Sequence, residues 1–334
     1  MIRVINNSND LFFNLVLEEY LLKQKSIPHK IFILWQSNPS VVIGRSQDPF
    51  EESNHKFVKE NKIAVVRRIS GGGAVYHDLA NLKFTSIVDG PHINRHDFLF
   101  FAGPVIHCLK QIGIKVEVQD RNDLTVDGLK FSGNAQCLYK NRILHHGTIL
   151  FDSDLSVLGK ASAPQEEYTS RSLKSVRSKV TNVRAKLGSD MDIDAFRHLL
   201  TRAFFSYHSA PFLEYRLTGG DVAAIQRLAE TKYRTWEWTY GHSPEFLVNR
   251  EFTSNGKRII VTLTVERGII TKYDIVSGRF PRSTADALSR QLIGRRFGET
   301  LASVPDGDEN AADWIRSLEN TPKWYPALSR TGAS

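Results

Sequence analysis

Three consecutive glycines, Gly71-Gly72-Gly73, sit between Arg67-Arg68-Ile69-Ser70 and Ala74-Val75-Tyr76-His77-Asp78. The apolar stretch Ile63 to Val66 leads straight into this cluster and reads as a strand. A strand running into a turn stripped of side chains constrains the fold more than any other segment. Without Cβ atoms the backbone can take positive φ, and a ligand can approach the amides closely. One reading is a tight hairpin and nothing more. The other is a nest of N–H groups for an anion, with the arginines adding planar recognition of phosphate or carboxylate. The two arginines on one side and His-Asp on the other favour the second. The cluster lacks both GxxxxGK[ST] and GxGxxG, so it is neither a P-loop nor a Rossmann turn.

Charge agrees with an anionic ligand. The 334 residues carry 44 Lys+Arg against 36 Asp+Glu, a formal +8. Such an excess suits nucleotides, nucleic acid, membrane surfaces and acidic proteins alike. Aromatics interleaved with bases are absent, which disfavours nucleic acid. No apolar run approaches the ~20 residues needed to span a bilayer. Cys108 and Cys137 stand far apart, outside any CxxC pairing. A disulfide scaffold and a cysteine zinc site are therefore both disfavoured, and a reducing compartment is expected. Asp10, Glu18 and Glu19 fall within the N-terminal helix pattern, unlike a signal or transit peptide. The expected location is cytoplasmic, or the mitochondrial matrix had a presequence been removed.

The apolar pattern predicts a mixed α/β chain. Ile2 to Ile5 reads as a strand. Asn9 or Asp10 caps a helix with Phe13, Leu17, Tyr20 and Leu21 at helical spacing. IFILW and VVIG read as strands, and Gly113 to Phe151 is mainly strand. Helices follow on Ile193, Phe196, Leu200, Ala203 and Tyr207, and on Val222, Ile225 and Leu228. Gly241 and Pro244 mark a connection. Beyond it Arg258 to Val265 and Ile269 to Val276 form a hairpin turning at Glu266-Arg267-Gly268, with helices near Ser283 to Leu292 and Glu309 to Leu318. The expected division is residues 1–245 and 246–334, with the last ten residues frayed.

Further motifs carry chemistry. Arg121-Asn122-Asp123-Leu124 precedes Lys130-Phe131-Ser132-Gly133-Asn134-Ala135, where a strand lysine could present a compact positive charge to a cleft. In Leu144-His145-His146-Gly147-Thr148, adjacent histidines on a strand face opposite ways, so they cannot share a metal. His92 and His96 have the spacing of helix-borne zinc ligands, but Gly90, Pro91 and Asn94 argue for a loop, and no third ligand is evident. Arg171 to Lys186 holds six basic residues and no acid, which suits a solvated loop or a phosphate-facing flap.

Taken together, RRISGGGAVYHD, KFSGNA and HHGTIL, in this order, resemble the lipoate–protein ligase family. FFNLVLEEYLL, WQSNPSVVIGRSQDPF around Arg45, RNDL, SVRSKVTN and TWEWTYG strengthen the resemblance, which runs from about residue 10 to 245. It implies an α/β (α+β) fold: a mixed-sheet catalytic domain similar to biotin ligases, with a small C-terminal α/β domain. It also implies a two-step reaction. Lipoate's carboxylate attacks the α-phosphate of ATP with Mg²⁺, giving lipoyl-AMP and pyrophosphate. A lysine of a lipoyl domain, on a 2-oxoacid dehydrogenase E2 or the glycine cleavage H protein, then displaces AMP.

Residue roles follow from the resemblance. Lys130 would bridge carboxylate and α-phosphate. Arg68 and Gly73, Ala74, Val75 and Tyr76 would contact ATP. Gly71 and Gly72 would admit the lipoyl chain, with His146, Gly147 and Thr148 at its carboxylate end. Asn122 and Asp123 would hold nucleotide or Mg²⁺, without a dedicated metal site. Arg45, Ser70, His77 and Arg177 fall within the matched motifs, and SVRSKVTN would be a mobile loop closing over the adenylate. The acceptor would be an acidic lipoyl domain and the enzyme a monomer, with no nucleic acid or membrane partner. One departure is local: the family reads HDxGN where this chain has His77-Asp78-Leu79-Ala80-Asn81, tolerable if Ala80 keeps φ below zero. The motifs also fit a lipoyltransferase that uses preformed lipoyl-AMP or lipoyl-protein. A non-catalytic lipoyl-domain-binding protein is the third reading, against which an intact Lys130 argues.

Overall fold

The computed structural model describes residues 1–23, 30–89, 98–119, 122–163, 168–254, 257–277, 286 and 289–298. His92 and His96, Arg121, the expected helix at Glu309 to Leu318, half of that at Ser283 to Leu292 and the last ten residues lie outside them.

The strands are β1 (Ile2–Ile5), β2 (Lys30–Trp35), β3 (Ser40–Ile43), β4 (Ala64–Arg67), β5 (Val75–His77), β6 (Asn81–Asp89), β7 (Glu117–Gln119), β8 (Asp123–Val126), β9 (Leu129–Tyr139), β10 (Arg142–Leu150), β11 (Tyr168–Ser170), β12 (Leu213–Arg216), β13 (Phe246–Ser254), β14 (Lys257–Glu266) and β15 (Ile269–Ser277). The helices are α1 (Leu11–Lys23), α2 (Pro49–Glu52), α3 (His55–Glu60), α4 (Phe98–Gln111), α5 (Leu155–Ala161), α6 (Ile193–Tyr207), α7 (Gly219–Leu228) and α8 (Trp236–Thr239). None of the described helices is long and apolar enough to cross a membrane.

The chain divides into two compact units, and the mixed α/β class expected from the sequence is the one observed. The first unit comprises residues 1–45, 66–159 and 175–234. Its eight-stranded sheet runs β12-β1-β2-β6-β10-β9-β8-β7, parallel among β12, β1 and β2 and antiparallel from β2 onward. A smaller sheet, β4-β3-β5, carries the glycine cluster between β4 and β5. Helices α4 and α6 cover one face of the large sheet, where Phe32, Phe84, Phe131, Phe196 and Phe204 form the core. Each fully buried aromatic contributes roughly 2–3 kcal/mol of hydrophobic stabilisation. Gly103 lets α4 approach α6, because Tyr207 fills the space a side chain would need.

Helix α1 begins where Asp10 Oδ1 accepts from the Phe12 amide at 2.8 Å. It is buried on nearly every side, including Glu18 and Glu19. Glu19 is countered by Lys23, Lys232 and Tyr233. Burial raises its pKa, but these three donors outweigh burial and leave it below the usual carboxylate value.

The second unit comprises residues 46–65, 160–174 and 235–334. Its sheet runs β11-β13-β14-β15, and Arg267 and Gly268 at the β14–β15 turn both take positive φ. This grouping differs from a simple cut at residue 245. Phe50 and Tyr168 pack with Trp236, Tyr240, Phe246 and Phe297 in one aromatic core, drawing in segments distant in sequence.

His145 on β10 lies on the α4–α6 side of the large sheet, stacked on Phe101 with ring centroids 4.6 Å apart. Its ring nitrogens lie 3.1 Å from Asn134 Oδ1 and 3.1 Å from Gln136 Nε2. Burial first, then the neighbouring His146, pushes its pKa down to about 3. The unfolded imidazole takes up a proton below about pH 6.5, whereas the folded one resists until about 3. Stability is therefore lost as pH falls through that window, by about 1.4 kcal/mol per pH unit from this residue. Denaturant titrations between pH 4 and 6.5 should show a shallower pH dependence for His145→Gln, by about one proton. An unchanged slope would mean that the folded protein protonates His145 freely.

Candidate active site

Every residue of this site belongs to the first unit. Strand β4 ends in two arginines whose side chains turn inward. Arg67 is fully buried and donates to the carbonyls of Gly44 and Arg45 at 3.2 and 2.8 Å. Arg68 Nε donates to Ser70 Oγ at 2.9 Å and Nη1 to Val42 O at 3.0 Å. Its Nη2 donates to the carbonyls of Gly71 and Gly73 at 2.6 and 2.7 Å. Burial pushes the Arg68 pKa down to about 10, with the Glu18 carboxylate opposing that shift. A guanidinium offers five donors in a rigid fork, so one side chain can hold both ends of the glycine turn.

The segment after β3 is zipped to the same turn. The Arg45 amide donates to Ser70 O at 2.8 Å, and the Arg68 amide to Ile43 O at 3.0 Å. A side chain at Gly44 would collide with the carbonyl of Gly72, which itself takes φ +87°. The sequence reading passed over Gly44; its signal is a glycine directly after the apolar strand VVI.

Ser70 continues a buried hydrogen-bonded chain. His146 Nε2 lies 2.7 Å from Ser70 Oγ, and His146 Nδ1 lies 2.9 Å from Glu18 Oε2. Thr85 Oγ1 donates to Glu18 Oε1 at 2.5 Å, and Trp35 Nε1 donates to Thr85 at 3.1 Å. A carboxylate only accepts, so Nδ1 carries its proton toward Glu18, and the Ser70 hydroxyl proton points to Nε2. Glu18, His146 and Ser70 have the order of an acid–base–hydroxyl chain. Ser70 is 1% exposed and already bonded to both His146 and Arg68, so the chain orients Arg68 instead of presenting a nucleophile. Sequence reasoning missed Glu18, because two adjacent glutamates in a helix look like a solvated face.

His77 is buried on β5, edge-on to Trp35 with centroids 5.6 Å apart. Burial, then the charges of Lys83 and Arg68, holds it well below the usual histidine range. Lys83 itself is buried, donating to the carbonyls of Asp78 and Asn81 at 3.2 and 2.8 Å. Tyr76 is buried too, and burial raises its phenol to about 12. Asp78 accepts from Ser153 Oγ and from the amides of Ala80 and Asp154. Ala80 is not among the described residues with positive φ, so alanine fits there without strain.

Lys130 is presented by a bulge. Leu124 faces Ser132 and Thr125 faces Lys130, which leaves Phe131 as the extra residue. Phe131 enters the core, and Lys130 Nζ lies 2.8 Å from Asp123 Oδ2. A Cβ on Gly133 would stand 3.1 Å from Lys130 Cε and 3.3 Å from Nζ, so this glycine clears space for the ammonium. Asn122 Nδ2 donates to Asn134 O at 3.0 Å, and Thr148 Oγ1 lies 3.4 Å from Gly133 N and O. At Gly147 the space for a side chain is filled by Asn134 and Phe84 on the core side of the sheet.

The basic stretch ties the two motifs together. The Lys130 amide donates to Lys179 O and the Thr181 amide to Lys130 O, both at 2.9 Å. The Ala74 amide donates to Ser175 Oγ at 2.8 Å. Direct contacts thus join Arg68, Ser70, Gly71, Gly73 and His146 in one group, and Lys130, Asp123, Gly133 and Thr148 in another. A Cβ on Gly72 would lie 3.7 Å from that of Ala135, next on the Lys130 strand. Arg45 and Arg177 are exposed and Val75 is half-buried.

Residues 10–205 match the model of the lipoyl protein ligase A/B catalytic domain. The chain is 38% identical over 304 residues to lipoate-protein ligase LplJ of Bacillus subtilis, covering 90% of this chain and 92% of that protein. The chain belongs to the lipoate–protein ligase family. Among solved structures it resembles lipoate-protein ligase A bound with ATP, with a TM-score of 0.62 and 25% identity over 71% of this chain and 98% of that one. It also resembles the bipartite lipoate protein ligase of Thermoplasma acidophilum, described with its E2 lipoyl domain, with a TM-score of 0.62 and 25% identity over 71% and 95%.

Within this ligase-family site the glycines should differ in tolerance. Gly44→Ala drives a methyl into a backbone carbonyl and should cost about 1–3 kcal/mol or more in chemical denaturation. Gly71→Ala meets nothing within 4 Å and should unfold like the parent. Equal stability of the two variants would contradict the close approach of Gly44 to Gly72.

Proposed function

We propose that this site performs ATP-dependent ligation of lipoate to protein in two steps, with Lys130 at the reacting centre. Two anions must meet in the first step, and a cation placed between carboxylate and α-phosphate lowers the barrier where charge develops. The observation that carries the assignment is Lys130 on its bulge, with space cleared by Gly133 and a carboxylate, Asp123, already 2.8 Å from Nζ. Arg68 acts by shaping the turn and placing positive charge behind it, while the amides from Gly73 to Tyr76 face the phosphates. The lipoyl chain runs past Gly71 and Gly72, with its carboxylate toward His146, Gly147 and Thr148.

Mg²⁺ enters with ATP. Among the described residues no group of three His, Cys, Asp or Glu could hold a metal. Asp123 beside Lys130 suits a cation carried mainly by phosphates and water. Asn122, which braces Asn134, supports the same corner. In the second step an acceptor lysine displaces AMP. The acceptors are lipoyl domains of 2-oxoacid dehydrogenase E2 and the glycine cleavage H protein, whose acidic surfaces the +8 chain would attract. A cytoplasmic monomer is the expected form.

Lipoate-dependent ATP–pyrophosphate exchange tests the reading. Exchange is expected. Its absence, with transfer from synthetic lipoyl-AMP intact, would leave a lipoyltransferase, and failure of both would leave a binding protein. Lys130→Ala should retain its circular dichroism and lose about 100-fold or more in both assays. Near-normal rates would remove Lys130 from the centre. Gly71→Ala should raise KM for lipoate while leaving KM for ATP near that of the parent.

A further inference from the structure

We propose that Ser175 is a built-in competitor for the nucleotide site, its hydroxyl occupying the Ala74 amide that an ATP phosphate oxygen takes on binding. The inference rests on the assignment of Gly73 to Tyr76 to the nucleotide. The Ala74 amide is already engaged, donating to Ser175 Oγ at 2.8 Å. The contact is shaped as well as bonded. An ideal Cβ on Gly73 would stand 3.0 Å from Ser175 Oγ and 3.3 Å from its Cα and Cβ, so the serine seats in the hollow that this glycine leaves.

Two sets of contacts tie the segment bearing Ser175 to this site. At its far end two backbone hydrogen bonds and a parallel bridge join Lys179, Val180 and Thr181 to Lys130. At its near end the hydroxyl of Ser175 meets Ala74. Residues 176–179 between them are exposed, Val176 at 85%. A hydroxyl is a neutral acceptor, and a phosphate oxygen at the same amide makes a charge-assisted bond roughly twice as strong. The phosphate therefore displaces the serine, and the backbone bridge at Lys130 keeps the segment in place as it does so. Lys130 follows the same logic, with Asp123 Oδ2 standing where a substrate carboxylate would come.

Removing the hydroxyl should therefore improve nucleotide binding. Titration calorimetry of the full chain with ATP and Mg²⁺ should give Ser175→Ala a Kd about five-fold lower than the parent, equivalent to about 1 kcal/mol. KM for ATP in the exchange assay should fall in proportion, with KM for lipoate unchanged. Ser175→Thr, which keeps a hydroxyl, should restore parental affinity. Equal or weaker ATP binding by Ser175→Ala overturns the proposal while leaving the nucleotide assignment intact. If the parent itself binds no ATP and supports no exchange, the nucleotide assignment fails first.

Discussion

A turn made of glycines has no side chains with which to hold its own shape. Here the shape comes from Arg68, whose buried fork grips the carbonyls of Gly71 and Gly73 from below. Burying that charge is costly unless it is paired and hydrogen-bonded. The counter-charge is Glu18, reached through Ser70 and His146. One buried cation thus requires a particular serine, a particular histidine and a glutamate from a distant helix. Gly44 closes the arrangement by letting a second backbone lie against the turn.

The large sheet sorts chemistry by face. His145 and His146 are neighbours in sequence, yet one stacks on Phe101 in the core and the other joins Glu18 and Ser70. Strand alternation produces this division without further instruction. The bulge at Phe131 interrupts alternation at one position. It sends a phenyl ring into the core while Lys130 meets Asp123. A one-residue change in that register would exchange the two faces.

Much of this was legible in the sequence. The glycine cluster, the lysine strand and the histidine pair were readable because each depends on local rules of turn and strand. Asp10 as the helix cap and the turn at Arg267-Gly268 belong to the same class. What was not legible depends on pairing across the chain. Glu18 and Glu19 look like solvated acids until His146, Lys232 and Tyr233 are beside them. Strand β13 has no expectation behind it in the sequence, because its charged residues hide the alternation that β14 completes. Phe50 and Tyr168 carry no local mark of packing with Trp236 and Phe246. Gly147 shows no sign in sequence that Asn134 and Phe84 fill the space beside it.

The contacts of the basic segment with Ala74 and Lys130 have a consequence for the order in which the protein assembles. Ala74 and Ser175 are 101 residues apart in the chain, and Lys130 meets a partner roughly fifty residues later. Contacts between such distant residues carry a loop-closure entropy cost that must be met before the contact stabilises anything. The segment docks on backbone supplied by β9 and the glycine turn, both made earlier in the chain. A nascent chain emerging from the ribosome therefore holds its lysine and its amides for some time without the piece that joins them. The complete pocket is a property of the finished unit, and no fragment ending before residue 181 possesses it.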